Sequence, residues 1–211
     1  LCLLNTRQKA PAGSNKNNDL WSTDMTIYGK DRFYIYGIEK ILKALHRERG
    51  RGVHASPACV YVTSGMDIQE MYSLFFTFPP VHHSIFIASE RYFESFNRLF
   101  PGLMKLCLPE SLSVEELRQA LSVMSLLYEQ NQSAGYRPDI FKFTAAEQQI
   151  MRLLMRGHSL EDIARIRGVS PTTVSVQRNG LMKRTGTKSL QELCSLYTAL
   201  RKSQKRALRP S

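Results

Sequence analysis

Residues 143–174 decide the reading: Phe143-Thr144-Ala-Ala-Glu147, an apolar run, Gly157-His158-Ser159-Leu160-Glu161-Asp162-Ile163-Ala164, then Gly168-Val169-Ser170-Pro171-Thr172-Thr173-Val174. Thr144 with Glu147 and Ser159 with Asp162 each set a hydroxyl at a helix N-cap and a carboxyl three residues on. Ser170-Pro171 marks a third start, because proline at the first helical position gives up only an N–H that has no intrahelical partner. Ser189 with Glu192 marks a fourth. Gly157, Gly168 and Gly186 fall at or just past the expected ends, where the left-handed backbone suits a residue without a side chain. Four starts and three stops within about fifty residues predict an all-α, four-helix domain over 142–200 containing a helix-turn-helix.

On the third helix, Val174 and Leu181 are seven residues apart, share a face, and are expected to pack on Ile163 and Leu153. The opposite stripe is Thr172, Ser175, Val176, Asn179 and Lys183. Small and polar side chains there would let a helix backbone approach the floor of a major groove, where Asn meets adenine edges and Val meets thymine methyls. Arg178, Arg184 and Lys188 lie on the flanks, where phosphates would run. A solvated helix face shows the same stripe, and charge separates the two readings. Residues 142–211 carry 14 Lys or Arg against 4 Asp or Glu, a net of +10, whereas residues 1–141 carry 15 against 14, a net of +1. Nearly all of the +11 thus sits on one third of the chain, the footprint of a phosphate-backbone partner, double-stranded DNA.

From Phe143 to about Leu200 the chain resembles the LuxR-type (FixJ- or GerE-type) DNA-binding domain. Phe143-Thr144, Glu147, Gly157, Ile163-Ala164, Val169-Ser170-Pro171, Thr173-Val174 and Gly186 are in register with its motif. The resemblance implies that the third helix enters the major groove and that Ser175, Val176 and Asn179 meet bases. Thr172, Thr173, Gln177, Arg178, Lys183, Arg184 and Lys188 are expected on phosphates. It makes Leu193, Leu196 and Tyr197 of the fourth helix dimerisation candidates, residues that core packing would explain equally well. The family commonly has Lys where Ser175 stands and His where Gln177 stands, and no glycine at 180. Glycine in a helix interior costs about 1 kcal/mol relative to Ala, so weak unassisted affinity is expected, with a preference for A·T pairs.

Ahead of this domain, residues 1–24 have no apolar period and many turn formers, as a disordered leader would. From 25 to 130, apolar strand-like runs (25–28, 59–63, 84–88, 103–108) alternate with helical patterns (35–49, 68–76, 90–99, 113–129). Alternation of this kind predicts a doubly wound α/β domain with a parallel sheet, whose buried strands read as continuous apolar runs such as Ile85-Phe-Ile-Ala88. Only 36 residues separate Ile27 from Thr63, so a second strand and helix would be abbreviated around 51–57. Residues 131–141 read as a linker and 201–211 as a basic tail. The apolar rings of 71–78 and 92–100 serve either as core or as an interface, and His82-His83 as an exposed loop, or else a pH or metal feature.

Order and spacing of 25–130 resemble the receiver domain of response regulators, through Ile27-Tyr-Gly29-Lys30-Asp31 with Tyr36-Gly37-Ile38, and Pro109-Glu110-Ser111 with Val114-Glu-Glu-Leu117. Phosphoryl transfer to such a domain needs an aspartate after the third strand, an acidic pair after the first to hold Mg²⁺, and a lysine after the fifth. Those places hold Thr63-Ser64, Gly29-Lys30 and Pro109-Glu110. Asp31 and Asp67 are out of register, and only Ser89 fits the expected hydroxyl. The expectation is a pseudo-receiver that pairs with another receiver-like domain, an arrangement resembling the enterobacterial auxiliary regulators of capsule and fimbriae.

Cys2, Cys59, Cys107 and Cys194 lack metal or disulfide spacing. No signal peptide or stretch of eighteen apolar residues is found, so a bacterial cytoplasmic, nucleoid-associated protein is expected. No catalytic set, P-loop or dinucleotide fingerprint can be assembled, so no enzyme, cofactor, metal or membrane partner is expected. Three functions fit: a DNA-binding regulator acting as a homodimer or as a heterodimer with a response regulator of the same family, a co-regulator acting by protein contact, and a small-molecule sensor. A sensor would need a larger pocketed domain, so no small-molecule ligand is expected.

Overall fold

The computed structural model describes residues 4–5, 26–49, 58–80, 83–130 and 141–207. Its sheet runs β1 (Leu4–Asn5), β2 (Thr26–Gly29), β3 (Ala58–Val62), β4 (His83–Ile87) and β5 (Met104–Leu108), in that spatial order. The last four are parallel, while β1 pairs antiparallel with β2 through Leu4↔Gly29 and Asn5↔Tyr28. The helices are α1 (Arg32–Arg49), α2 (Ile68–Thr77), α3 (Phe93–Leu99), α4 (Val114–Gln130), α5 (Ala145–Leu154), α6 (Leu160–Arg167), α7 (Pro171–Thr185) and α8 (Leu190–Ala207). The alternating α/β reading and the helical C-terminal reading both describe this chain.

Two findings depart from the expected leader and receiver order. A flavodoxin-like sheet is ordered 2-1-3-4-5, and here the edge beside β2 that its second strand would take is paired with Leu4–Asn5. Two residues are too few to show a period in sequence, and their pairing comes from the exposed row of amides that an edge strand offers. The rest of the expected leader, the segment 51–57 and the linker residues 131–140 lie outside the described residues.

The contacts gather into two compact units, and these do not follow the expected division at 131–141. The first is the sheet with α1 and α4. Alternation along the strands turns Val60, Val62, Ile85 and Ile87 to one face, where they form a core with Ile35 and Ile38 of α1 and Leu117, Leu121 and Met124 of α4. The other face carries an aromatic ladder, with Tyr28 stacked on Tyr61 at 5.1 Å and Tyr61 on Phe86 at 5.2 Å. Glu48 of α1 and Arg118 of α4 form an ion pair at the surface.

In the second unit α2 and α3 join the C-terminal helices, through the segments Asp67–Pro79 and Arg91–Pro101. α2 lies along α8, and α3 meets α7. Most rings of this part are core: Tyr72, Phe75 and Phe96 are almost fully buried together with Met71 and Leu74, and Phe75 meets Phe96 and Phe100 edge-on at 5.2 and 5.9 Å. Phe141, expected in the linker, is buried and packs edge-on to Phe143, which in turn meets Tyr197. Helix α8 continues to Ala207 through the expected tail, since Arg, Lys and Gln are good helix formers and no breaker intervenes. His83, expected in an exposed loop, is buried as the first residue of β4.

Candidate nucleic-acid interface

Local capping places α5, α6 and α7. Thr144 and Glu147 form a complete capping box, as do Ser159 and Asp162, and Ser170 accepts the Thr173 amide ahead of Pro171. The Ser159 hydroxyl and amide hold the Asp162 carboxyl below the usual carboxylate range, with Arg165 adding to this. Gly157, Gly168 and Gly186 all have positive φ. At the fourth start Ser189 accepts the Glu192 amide as expected. The Glu192 carboxylate, however, takes the Lys188 amide at 2.6 Å and the Arg91 guanidinium at 3.0 Å, which closes no box with Ser189.

Val174 packs with Leu153, Ile163 and Ala164, and Leu181 is also buried. This anchoring turns the opposite stripe of α7 outward: Thr172, Val176, Asn179 and Lys183 are exposed and Ser175 half-buried, with Val176 at 65% exposure. An apolar side chain that open has no folding role, and on this stripe it sits among small polar groups. Arg178 donates to Asn179 Oδ1 from Nη2 at 3.2 Å and from Nε at 3.3 Å. A carbonyl oxygen has two lone pairs and Arg178 takes both, so Asn179 keeps its amide donors for a base edge.

The expected phosphate ligands divide. Thr172 and Lys183 point outward, and Thr173 is half-buried with its hydroxyl 2.9 Å from Ser170 Oγ. Gln177 is exposed and accepts from Arg167. Arg184 is committed within the fold: it pairs with Glu147, donates to the Lys142 carbonyl at 3.3 Å and lies 4.3 Å over the Phe141 ring. Lys188 pairs with Glu94 of α3, which holds the Glu94 carboxyl below its usual range.

The dimerisation candidates require a correction. Leu193, Leu196 and Tyr197 are between 0 and 3% exposed, and Tyr197 OH donates to the Gln148 carbonyl at 3.4 Å. α2 lies along this helix, so these side chains are core and present no surface to a second molecule here. Spacing on one helix could not distinguish the two roles, because both require the same apolar stripe.

Sequence reasoning missed the groups at the end of α7. Ser95 of α3 donates to the Thr185 carbonyl at 3.1 Å and stands 3.1 Å from Tyr72 OH. A serine hydroxyl has one proton, so the tyrosine donates to it, and burial pushes the Tyr72 phenol up to about 12. A Cβ on Gly186 would stand 2.8 Å from Ser95 Cα and 2.9 Å from its nitrogen. The only trace of this in the sequence is Gly186, and the helix end alone already accounts for a glycine there.

At the C-terminal edge of the sheet the polar groups satisfy one another. Thr63 Oγ1 lies 3.2 Å from the Ile87 carbonyl and 3.4 Å from Glu110 Oε1. Ser64 donates to Asp31 Oδ2 at 3.4 Å, and the other Asp31 oxygen caps α1 by accepting the Phe33 and Tyr34 amides. Asp67 and Glu70 form the capping box of α2. Gly29 is crowded, since a Cβ there would lie 3.0 Å from the Val62 carbonyl oxygen and 3.1 Å from Val62 Cβ, so a side chain there requires its neighbours to give way. Ser89 follows β4 and is half-buried. Among the described residues no three His, Cys, Asp or Glu are grouped to hold a metal ion, and no helix is long and apolar enough to cross a membrane.

These helices and their exposed stripe define a helix-turn-helix domain. Residues 142–197 match the model of the bacterial regulatory proteins, luxR family, and this segment is a LuxR-type domain. No curated protein matches the chain. Among solved structures, a chain from the two-component response regulator RcsB–DNA complex is 15% identical with a TM-score of 0.40, over 83% of this chain and 97% of that one. RcsB from Salmonella enterica serovar Typhimurium, bound to promoter rprA in the presence of phosphomimetic BeF3-, is 16% identical with a TM-score of 0.30, over 82% and 97%.

Proposed function

We propose that the chain is a DNA-binding transcription regulator whose strand–helix half works without phosphorylation and associates with a second copy or with a response regulator of the same family. The observation that carries the reading is the outward stripe of α7, where Thr172, Val176, Asn179 and Lys183 are exposed on a helix held from behind by Val174 and Leu181. In this reading Val176 and Asn179, with Ser175, meet bases, and Thr172, Lys183 and Arg178 meet phosphates. Asn179→Ala is expected to flatten base preference by about 1–3 kcal/mol, roughly 5- to 150-fold, in competition gel shifts with sites selected from a random duplex library. Unchanged preference would reject the assignment.

Phosphorylation independence is supported by the crowded Gly29 and by the absence of a carboxylate at Thr63 and Ser64. Incubation with acetyl phosphate and Mg²⁺ is expected to add no phosphoryl mass to the intact protein, and a stoichiometric phosphoaspartyl adduct would overturn the reading. A second function, co-regulation by protein contact, is favoured by one observation: Arg184 and Lys188 already hold internal carboxylates. Gel shifts with and without a response-regulator partner separate the two, because a co-regulator retards DNA only in company.

A further inference from the structure

We propose that the DNA-reading unit is discontinuous in sequence, with α2 and α3 as integral parts of it and Ser95 as the residue that positions the C-terminal end of α7. This rests on the reading of α7 as the DNA-contacting helix and extends it to residues outside the matched domain.

The last turn of α7 leaves carbonyls without intrahelical partners. One of them, on Thr185, receives its hydrogen bond from Ser95 of α3, and the Ser95 oxygen is itself held by Tyr72 of α2. Ser95 and Thr185 are essentially without solvent contact. Buried hydrogen-bonding groups are costly to leave unpaired, so this chain of three groups has one low-energy arrangement. Thr185 Oγ1 turns back to the Leu181 carbonyl at 2.9 Å and lies 3.0 Å from Thr187 Oγ1.

The backbone contact is as specific as the hydrogen bonds. Gly186 has φ 70° and ends α7, and its missing Cβ is where the Ser95 backbone passes. Any side chain would push α3 away. Two ion pairs flank the junction, Arg91–Glu192 at 3.0 Å, with the Glu192 side chain 8% exposed, and Glu94–Lys188. Three kinds of contact therefore converge on residues 185–192 from α3 and from Arg91 just before it, with Tyr72 of α2 holding Ser95 from behind.

A contact of this strength either positions a helix or blocks it. The engaged groups lie at the C-terminal end of α7 and beyond it, from Thr185 onward, and Thr172, Val176 and Asn179 stay exposed. The clamp therefore leaves the reading stripe open, as positioning requires. Displacement of α2 or α3 then tilts the reading helix, and this gives a route by which a partner on those helices alters site choice.

The test uses the full chain, with duplexes selected by the wild-type protein and poly(dI–dC) as the non-specific competitor. Ser95→Ala is expected to lower the ratio of selected to non-specific affinity at least fivefold and to speed amide exchange at 182–188, with non-specific binding unchanged. Tyr72→Phe should move both readouts the same way by less. Unchanged exchange and ratio would overturn the proposal, and so would a rise in selected-site affinity, which would make α3 a block. Should Ser95→Ala fail to fold, Glu94→Cys with Lys188→Cys, cross-linked after replacement of the native cysteines, decides: retained site selection supports positioning, and lost binding rejects it. The exchange readout needs no DNA, so failure of the DNA-binding reading is distinguishable from failure of the clamp.

Discussion

The C-terminal edge of the sheet and the outward face of α7 are both rich in small polar side chains, and they use them in opposite ways. At the edge, Thr63, Ser64, Asp31 and Glu110 bond to one another or to nearby backbone, which leaves few groups directed at anything outside. On α7, Thr172, Asn179 and Lys183 face solvent, and Val176 stands open among them. A polar cluster that satisfies itself contributes to the fold, whereas one left facing water is available to a ligand. The two surfaces lie on separate elements, so the state of one does not decide whether the other is available.

The contrast can be broken first at Gly29. Gly29→Asp, which places an acid near the position a receiver would use, is expected to destabilise the sheet by about 3 kcal/mol. Overpacking against Val62 combines with burial of a charge lacking a partner, and thermal or urea unfolding would read the loss. A variant as stable as the parent would show that the edge has room and that the absence of an acid at 29 carries no structural meaning. Lys183→Ala probes the other surface. It should reduce the slope of log affinity against log salt by about 1 and leave base preference alone, and an unaltered slope would remove Lys183 from the phosphate contacts. The smallest effect is expected from Gly180→Ala: a Cβ at 180 meets nothing within 4 Å. The variant should gain about 0.4–1 kcal/mol from reduced backbone entropy in the unfolded chain, read as a small rise in melting temperature. Stabilisation accompanied by loss of DNA binding would instead mean that the bare backbone at 180 approaches the groove.

What could be read in the sequence was local. The caps at Thr144, Ser159 and Ser170 and the glycine stops involve residues a few positions apart, so their chemistry is written contiguously, and the structure has each where capping rules put it. The parallel strands were legible for the same reason, as short apolar runs between helical periods. What escaped was long-range. Nothing near Ser95 signals a bond to Thr185, which is 90 residues away, and the stripe of Leu193, Leu196 and Tyr197 has the same pattern whether it faces α2 or a second molecule. Grouping α2 and α3 with the strands that flank them in sequence followed from chain order, and chain order does not show that α2 packs along α8.

Helix α8 runs 18 residues to Ala207, about 27 Å at 1.5 Å per residue. Lys202 and Lys205 are therefore mounted on a stiff rod, and Arg201 leans over the Tyr197 ring at 5.8 Å. A trailing tail would forfeit freedom each time it settled on a polyanion. A preformed rod holds its positive groups at set intervals before any encounter, and little ordering cost accompanies their contact with a phosphate.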